Sequence, residues 1–168
     1  KDENRPHRMA HAFAADAVLE MTVKSEAIRF PARSEGLAAI TEVLVRRFGQ
    51  TYDNVYTLCL AEAPPSADAA TYRCDWLVGM TDKASGSVRA GCGRYAWTFG
   101  RADSTGGERR VRALKIVIEA MEVLPAEAAG PVIDGWLARL PYPWCTAAQA
   151  CAAAPALAGL APVLAYLG

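Results

Sequence analysis

The side chains able to carry chemistry in this 168-residue sequence are few and scattered. His7 and His11 lie four apart, a spacing that puts two imidazoles on one helical face as in some metal sites. No third ligand is placed near them, so the pair is expected to be solvated. Five cysteines, Cys59, Cys74, Cys92, Cys145 and Cys151, are an odd number at irregular spacings without a Cys-x-x-Cys pair. Reduced, mostly buried thiols are expected, which points to a cytoplasmic protein. Neither a metal nor an organic cofactor is expected. The Ser104-Thr-Gly-Gly107 stretch joins two strands, leads into no helix and lacks a lysine, so it is a hairpin loop and not a phosphate cradle. Asp16 is a turn or capping residue, because aspartate bonds local backbone amides readily. Asp75 and Arg94 remain as candidate catalytic groups, and their role depends on which face of a sheet they occupy.

Composition narrows the partners. Eighteen Lys and Arg balance eighteen Asp and Glu, leaving no net field to draw the chain to nucleic acid or to an anionic membrane. No run approaches the ~18–20 uninterrupted apolar residues of a spanning helix, and the Ala-rich end is broken by Pro141, Pro143, Pro155 and Pro162. With 52% hydrophobic residues the length suits one globular unit with a real core.

The elements that would position Asp75 and Arg94 follow from periodicity. Residues 8–15 suggest a short helical end, and 17–23 alternates like a strand with Leu19, Met21 and Val23 on one face. Ser34 is placed to cap an amphipathic helix whose Leu37, Ile40, Val43, Leu44 and Phe48 form a stripe ended by Gly49. Four strand-like runs follow at 54–62, 71–80, 87–99 and 109–124, joined by short turns into an antiparallel meander. Gly91 and Gly93 within the third run permit a bend or bulge, so the sheet is expected to curve strongly. From Pro125 onward the pattern is helical.

Directly paired residues in an antiparallel hairpin share a face. With Met80 opposite Ser87, one side collects Cys74, Trp76, Val78, Gly91, Gly93, Tyr95, Trp97 and Phe99, and the other collects Asp75, Leu77, Cys92, Arg94 and Ala96. The first side is the concave, buried one, and Leu114, Ile116 and Ile118 of the last strand join it. The glycines would remove volume opposite Trp76 and Cys74, leaving either a packed indole or space for a guest. A one-residue bulge would reverse the assignment and turn Asp75 and Arg94 inward.

The phrase Phe13-Ala-Ala-Asp-Ala-Val-Leu-Glu20 running into a strand, the Gly36-Leu-Ala-Ala-Ile40 helix and four long strands after it resemble the nuclear transport factor 2-like superfamily in its SnoaL-like branch. The likeness covers Arg8 to Leu124. It implies a cystatin-like α+β fold, a cone in which a strongly curved antiparallel sheet wraps around helices, with an apolar pocket at the wide end and dimers through the sheet. Enzymes of this superfamily carry a catalytic carboxylate or histidine on the pocket wall. Where the isomerase pattern has its base aspartate this sequence has Met21, and Tyr95 falls near the position of the second aspartate. Tyr95 can donate a hydrogen bond but Met21 cannot accept a proton, which argues against the isomerase mechanism. The full first helix that family members carry would lie upstream of Lys1.

The sequence thus predicts a cone over 1–124 with a helical C-terminal extension over 125–168 packed on the same domain. The expected function is to hold a small, largely apolar molecule in a pocket of Met21, Trp76, Gly91, Gly93, Tyr95 and Trp97, with Tyr95 as polar anchor. One alternative is a cyclase, isomerase or dehydratase acting on a hydrophobic substrate through Asp75 or an N-terminal acid. Another is a structural dimer module with a filled core. A homodimer is expected through the convex face, where Leu77, Cys92, Ala96 and Val117 mix with Arg94 and Glu119. The stripe of Leu157, Leu160, Val163, Leu164 and Leu167 is expected to cross the cone in place of a first helix, anchored by Trp136 and Trp144.

Overall fold

The structure is a computed structural model that describes residues 2–100 and 109–168. The Ser104–Gly107 loop lies outside the described residues.

Alternating apolar residues build a single curved sheet from β1 (Phe13–Val23), β2 (Arg33–Glu35), β3 (Tyr52–Leu60), β4 (Thr71–Asp82), β5 (Val88–Phe99), β6 (Val111–Leu124) and β7 (Trp144–Cys145), in the order β2-β1-β6-β5-β4-β3-β7. The meander β3–β6 is antiparallel, β1 adds parallel to β6, and β7 adds parallel to β3. The fold is α+β. Strand β1 starts at Phe13 because that residue already pairs with Val111 before a register shift. The expected helical end therefore shortens to a turn at Pro6–Arg8 and α1 (Met9–Ala12).

The amphipathic helix, α2, runs without a break over 36–51, with a wider π turn at Glu42–Arg46 in its middle. Ser34 does not cap it. That residue sits in β2 opposite Leu19, and the corner into the helix is made at Gly36, whose φ of +81° only glycine adopts cheaply. Gly49 does not stop it either. The Asn4 side chain lies 2.5 Å from where a Cβ would stand, so glycine there makes room for the N-terminal segment.

Both faces of the sheet are covered. On the concave side Leu19, Met21, Val78, Met80, Leu114 and Ile116 meet Ile40, Val43, Leu44 and Phe48 of α2. On the convex side Leu58, Leu77, Ala90, Cys92 and Leu124 meet Val132, Trp136, Leu137, Leu160 and Val163. The last segment includes α3 (Ala147–Ala153), opened by a Thr146–Gln149 capping box, and α4 (Ala161–Leu167). Trp136 is 0% exposed, and its indole donates to the Ala150 carbonyl at 2.8 Å. Trp144 pairs β7 with β3 and packs edge-on against Tyr72.

Two expectations are corrected here. The C-terminal segment does not cross the cone, because the apolar residues of the outer face, Leu77 and Cys92 among them, offer it the surface it needs. Of the apolar residues expected to meet a second copy, Leu77 and Cys92 are 0% exposed beneath their own chain, while Ala96 and Val117 are half-buried.

Register decides the site. Met80 pairs with Arg89, two residues beyond the expected Ser87, and an even shift keeps every side chain on its face. It does change partners: Trp76 stands opposite Gly93, and Val78 opposite Gly91. A bulge does occur, between Cys92 and Gly93, where the partners step from Ala120 to Ile118 and leave Glu119 as the extra residue on β6. Because the extra residue belongs to β6, β4 and β5 keep their phase.

Candidate functional site

The concave face does not fill. Between the sheet, α2 and the N-terminal segment lies a cavity of about 510 Å³, within the ~300–1,000 Å³ range of small-molecule sites. One wall is aromatic. Trp76 and Tyr95 are stacked with ring centroids 5.6 Å apart at 26°, and Tyr95 meets Trp97 at 5.4 Å and 62°. Leu114, Ile116 and Ile118 of β6 and Met21 of β1 continue the wall, while Leu44 and Phe48 of α2 face it across the space.

The polar groups gather at one end. The Asp2 carboxylate accepts from the Thr57 amide at 2.7 Å, the Thr57 hydroxyl at 2.9 Å and the Tyr142 hydroxyl at 3.1 Å. Thr57 lies on β3 just before Cys59 and Leu60, the two residues that pair with β7, so this carboxylate fastens the N-terminal segment to the rim of the sheet. Glu3 is paired with Arg5 at 2.9 Å, and both line the same opening with Arg8. Burial, and then the neighbouring Asp2 charge, push the Tyr142 phenol up to about 12.

Deeper in, burial holds the Tyr95 phenol well above its ordinary pKa, with Cys59, Asp2 and Cys74 adding to the effect. It is therefore a neutral O–H donor at any physiological pH. The Trp76 Nε1 is buried and has no hydrogen-bond partner among the described residues. Cys59 faces the cavity, and its hydrogen bond with Cys74, followed by burial, raises the Cys74 thiol far above the usual range. Cys74 is a protonated thiol, not a nucleophile.

Solved structures share this architecture. A nuclear transport factor 2-like superfamily protein from Salmonella enterica serovar Typhimurium superposes with a TM-score of 0.55 at 16% identity, over 71% of this chain and 80% of that one. The chain has the nuclear transport factor 2-like fold. LinA matches with a TM-score of 0.55 at 12% identity, covering 74% of this chain and 78% of its own. A candidate scytalone dehydratase from Novosphingobium aromaticivorans matches with a TM-score of 0.55 at 13% identity, over 71% and 74%. No protein-family model and no curated protein matches the chain.

Within this nuclear transport factor 2-like cone the residues singled out by sequence separate into two groups. Met21, Trp76, Tyr95 and Trp97 line the cavity. Gly91 and Gly93 lie on the same face but leave no vacant volume. A Cβ on Gly91 would meet Met121 Cε at 2.4 Å, and one on Gly93 would meet the Val117 carbonyl at 1.9 Å and Trp76 Cζ2 at 2.9 Å. The glycines are seats on which Met121 and Trp76 lie flat.

Asp75 and Arg94 stand on the outer face. Asp75 accepts from the Tyr166 hydroxyl of α4 at 2.8 Å, and Arg94 pairs with Glu119. No bulge turns them inward, so neither reaches the cavity. His7 and His11 are exposed. Among the described residues no three His, Cys, Asp or Glu side chains gather as metal ligands, and no helix is long and apolar enough to cross a membrane.

Sequence reading missed Asp2, Thr57, Cys59 and Tyr142. Cys59 was within reach, since it pairs with Trp76 and the same-face rule extends one strand further. Nothing periodic marks Asp2 or Tyr142.

Proposed function

We propose that this chain holds a small, largely apolar molecule in the concave cavity, with Tyr95 as the polar anchor and Trp76, Trp97 and Met21 as walls. The observation that carries the reading is the unfilled space of about 510 Å³ lined on one side by these aromatics. The reading gains from Tyr95, a half-buried phenol that lines the cavity, whose hydroxyl has no protein partner among the described residues and whose raised pKa keeps its proton in place. Five cysteines that form no disulfide among the described residues fit a reducing, cytoplasmic setting.

A second reading, proton-transfer catalysis of the isomerase, cyclase or dehydratase kind, is favoured by one group. Asp2 lines the cavity and is held in place by three hydrogen bonds. A fixed carboxylate next to an apolar chamber is the arrangement a general base needs, and a candidate scytalone dehydratase shares the fold. A homodimer through the sheet would have to use the outer face of β1 and β6 that the C-terminal segment leaves open, where Asp16–Arg112 and Lys115–Glu20 pairs lie.

Titration of tryptophan fluorescence with N-phenyl-1-naphthylamine tests the first reading. Saturable one-to-one binding is expected, lost in Ile116→Trp, which fills the chamber, with the circular dichroism unchanged. Binding that fails to saturate, or that survives the filled chamber, overturns it. Asp2→Asn separates the second reading, which requires turnover to vanish while binding persists.

A further inference from the structure

The sequence contains four methionines, Met9, Met21, Met80 and Met121, and all four line the one cavity. They arrive from four separate elements, α1, β1, β4 and β6. Nowhere else among the described residues does the fold use a thioether. The outer core, which is of similar extent, is built from Leu, Val, Ile, Ala, Trp and the thiols Cys92 and Cys145, without a methionine. The difference is chemical. An unbranched thioether has three soft torsions and a polarizable sulfur, so it reshapes around what it touches and makes favourable contacts with aromatic ring edges. Branched aliphatics, which make up most of the outer core, have fewer side-chain torsions, and Val and Ile are stiff at the first of them.

The rest of the wall has the complementary character. Trp76 stacks on Tyr95 at 26° and Trp97 meets Tyr95 at 62°, so three adjoining rings, not all in one plane, make up the aromatic wall. The glycine seat under Met121 lets that side chain lie flat along the sheet, its Cε and Sδ at 2.4 and 2.8 Å from where a Gly91 Cβ would stand. The cavity therefore has a fixed aromatic side and a conforming thioether side.

We propose that the cavity is a broad-tolerance site for flat, conjugated ring systems, which stack on the Trp76–Tyr95–Trp97 wall while the four methionines adjust to the ring edge. This rests on the reading that the cavity binds an apolar molecule, and adds the class of that molecule and the looseness of its selection. A flat ring presents a polarizable edge to the sulfurs and a face to the aromatics. A saturated ring of the same skeleton presents neither, although it is the more hydrophobic of the two. Simple burial of apolar area therefore ranks the saturated ring first, and the thioether–aromatic lining ranks the conjugated ring first.

The experiment compares 2-naphthol with decahydro-2-naphthol, and phenol, 2-naphthol and 9-phenanthrol as a size series. Displacement of N-phenyl-1-naphthylamine gives the affinities, and the four methyl signals of the protein carrying [methyl-¹³C]methionine are followed by NMR. Expected are about tenfold tighter binding of 2-naphthol than of its decahydro form, binding of all three aromatic phenols, and movement of methionine methyl signals by a different pattern for each. Met21→Leu with Met121→Leu keeps apolar volume and should shrink the aromatic preference to less than about threefold. Equal or tighter binding of decahydro-2-naphthol, or methyl signals that stay still while the ligand binds, overturns this inference but leaves the binding function standing. Failure of every probe to saturate overturns the binding function itself. Should the double variant unfold, the methyl shifts of the unsubstituted protein decide alone.

Discussion

Tyr95 is the side chain on which the binding reading turns, and its environment separates stability from binding. Its ring is held between Trp76 and Trp97, while its hydroxyl bonds nothing among the described residues. Tyr95→Phe should thus leave the thermal midpoint within about 2 °C and weaken 2-naphthol by about three- to tenfold, the worth of one hydrogen bond in a dry site. Calorimetric titration beside a melting curve checks both. Glu119, the residue left over by the bulge, behaves in the opposite way. It takes Lys24 at 2.6 Å and Arg94 on a side chain only 13% exposed, and its carboxyl lies below the ordinary value of 4.5, first through the Lys24 hydrogen bond. A carboxyl lowered in the folded state adds stability that is complete above about pH 4.5 and is lost as pH falls through the folded value. Glu119→Gln should therefore cost up to about 1 kcal/mol at pH 7, and the gap should close in urea melts as pH falls below ~4.

At the scale of elements, the two glycines of β5 show what strand patterns disclose and what they conceal. Alternation assigns both to the concave face, and the structure agrees. Alternation carries no information about depth, so space opposite Trp76 and a seat for Trp76 look alike in the sequence. The Cβ geometry distinguishes them. Gly93→Ala would drive a methyl group to 1.9 Å from the Val117 carbonyl, a backbone atom unable to step aside at the bulge. We expect a loss of about 3 kcal/mol or more. Gly130→Ala, with nothing within 4 Å of its Cβ, should gain about 0.5 kcal/mol from the unfolded chain alone. Urea midpoints of the two variants provide the comparison. The four strands of the meander were legible because their periods are long, and the faces of Asp75 and Arg94 followed from parity once the Met80 hairpin was placed. The Asp2 contact was not legible, since a carboxylate reaching 55 residues along the chain to Thr57 depends on a non-periodic segment. The π turn at Glu42–Arg46 within α2 was equally hidden, because composition does not signal a wider turn.

At the scale of the molecule, one sheet separates two cores, and each has its own cover. The concave side keeps space under α2 and the N-terminal segment, and the convex side is packed solid by 125–168. Because strands β4 and β5 lend alternate residues to the two sides, the cores share a backbone but no side chains. Loosening the outer cover should then leave the cavity in place. Cys92 reports on that cover. It is 0% exposed, its thiol lies 4.0 Å from the Val163 carbonyl, and burial pushes it up to about 12. In the unaltered chain it should resist alkylation at pH 8 on the timescale of global unfolding, while half-buried Cys59 and Cys151 react sooner. Val163→Asp puts a charge into the seam between α4 and the sheet, where an unpaired carboxylate is costly enough to lift the helix. Alkylation of Cys92, followed by mass spectrometry of its peptide, should accelerate at least about tenfold. The affinity for 2-naphthol should change less than about twofold, since no concave residue moves. The same variant uncovers Leu77 and Cys92, on the face expected from sequence to meet a second copy, so sedimentation should shift to larger species than the unaltered chain forms. If Cys92 of the unaltered chain reacts as fast as Cys59, the C-terminal segment is not a fixed cover. If Val163→Asp abolishes 2-naphthol binding together with the cover, the two sides of the sheet are one cooperative core.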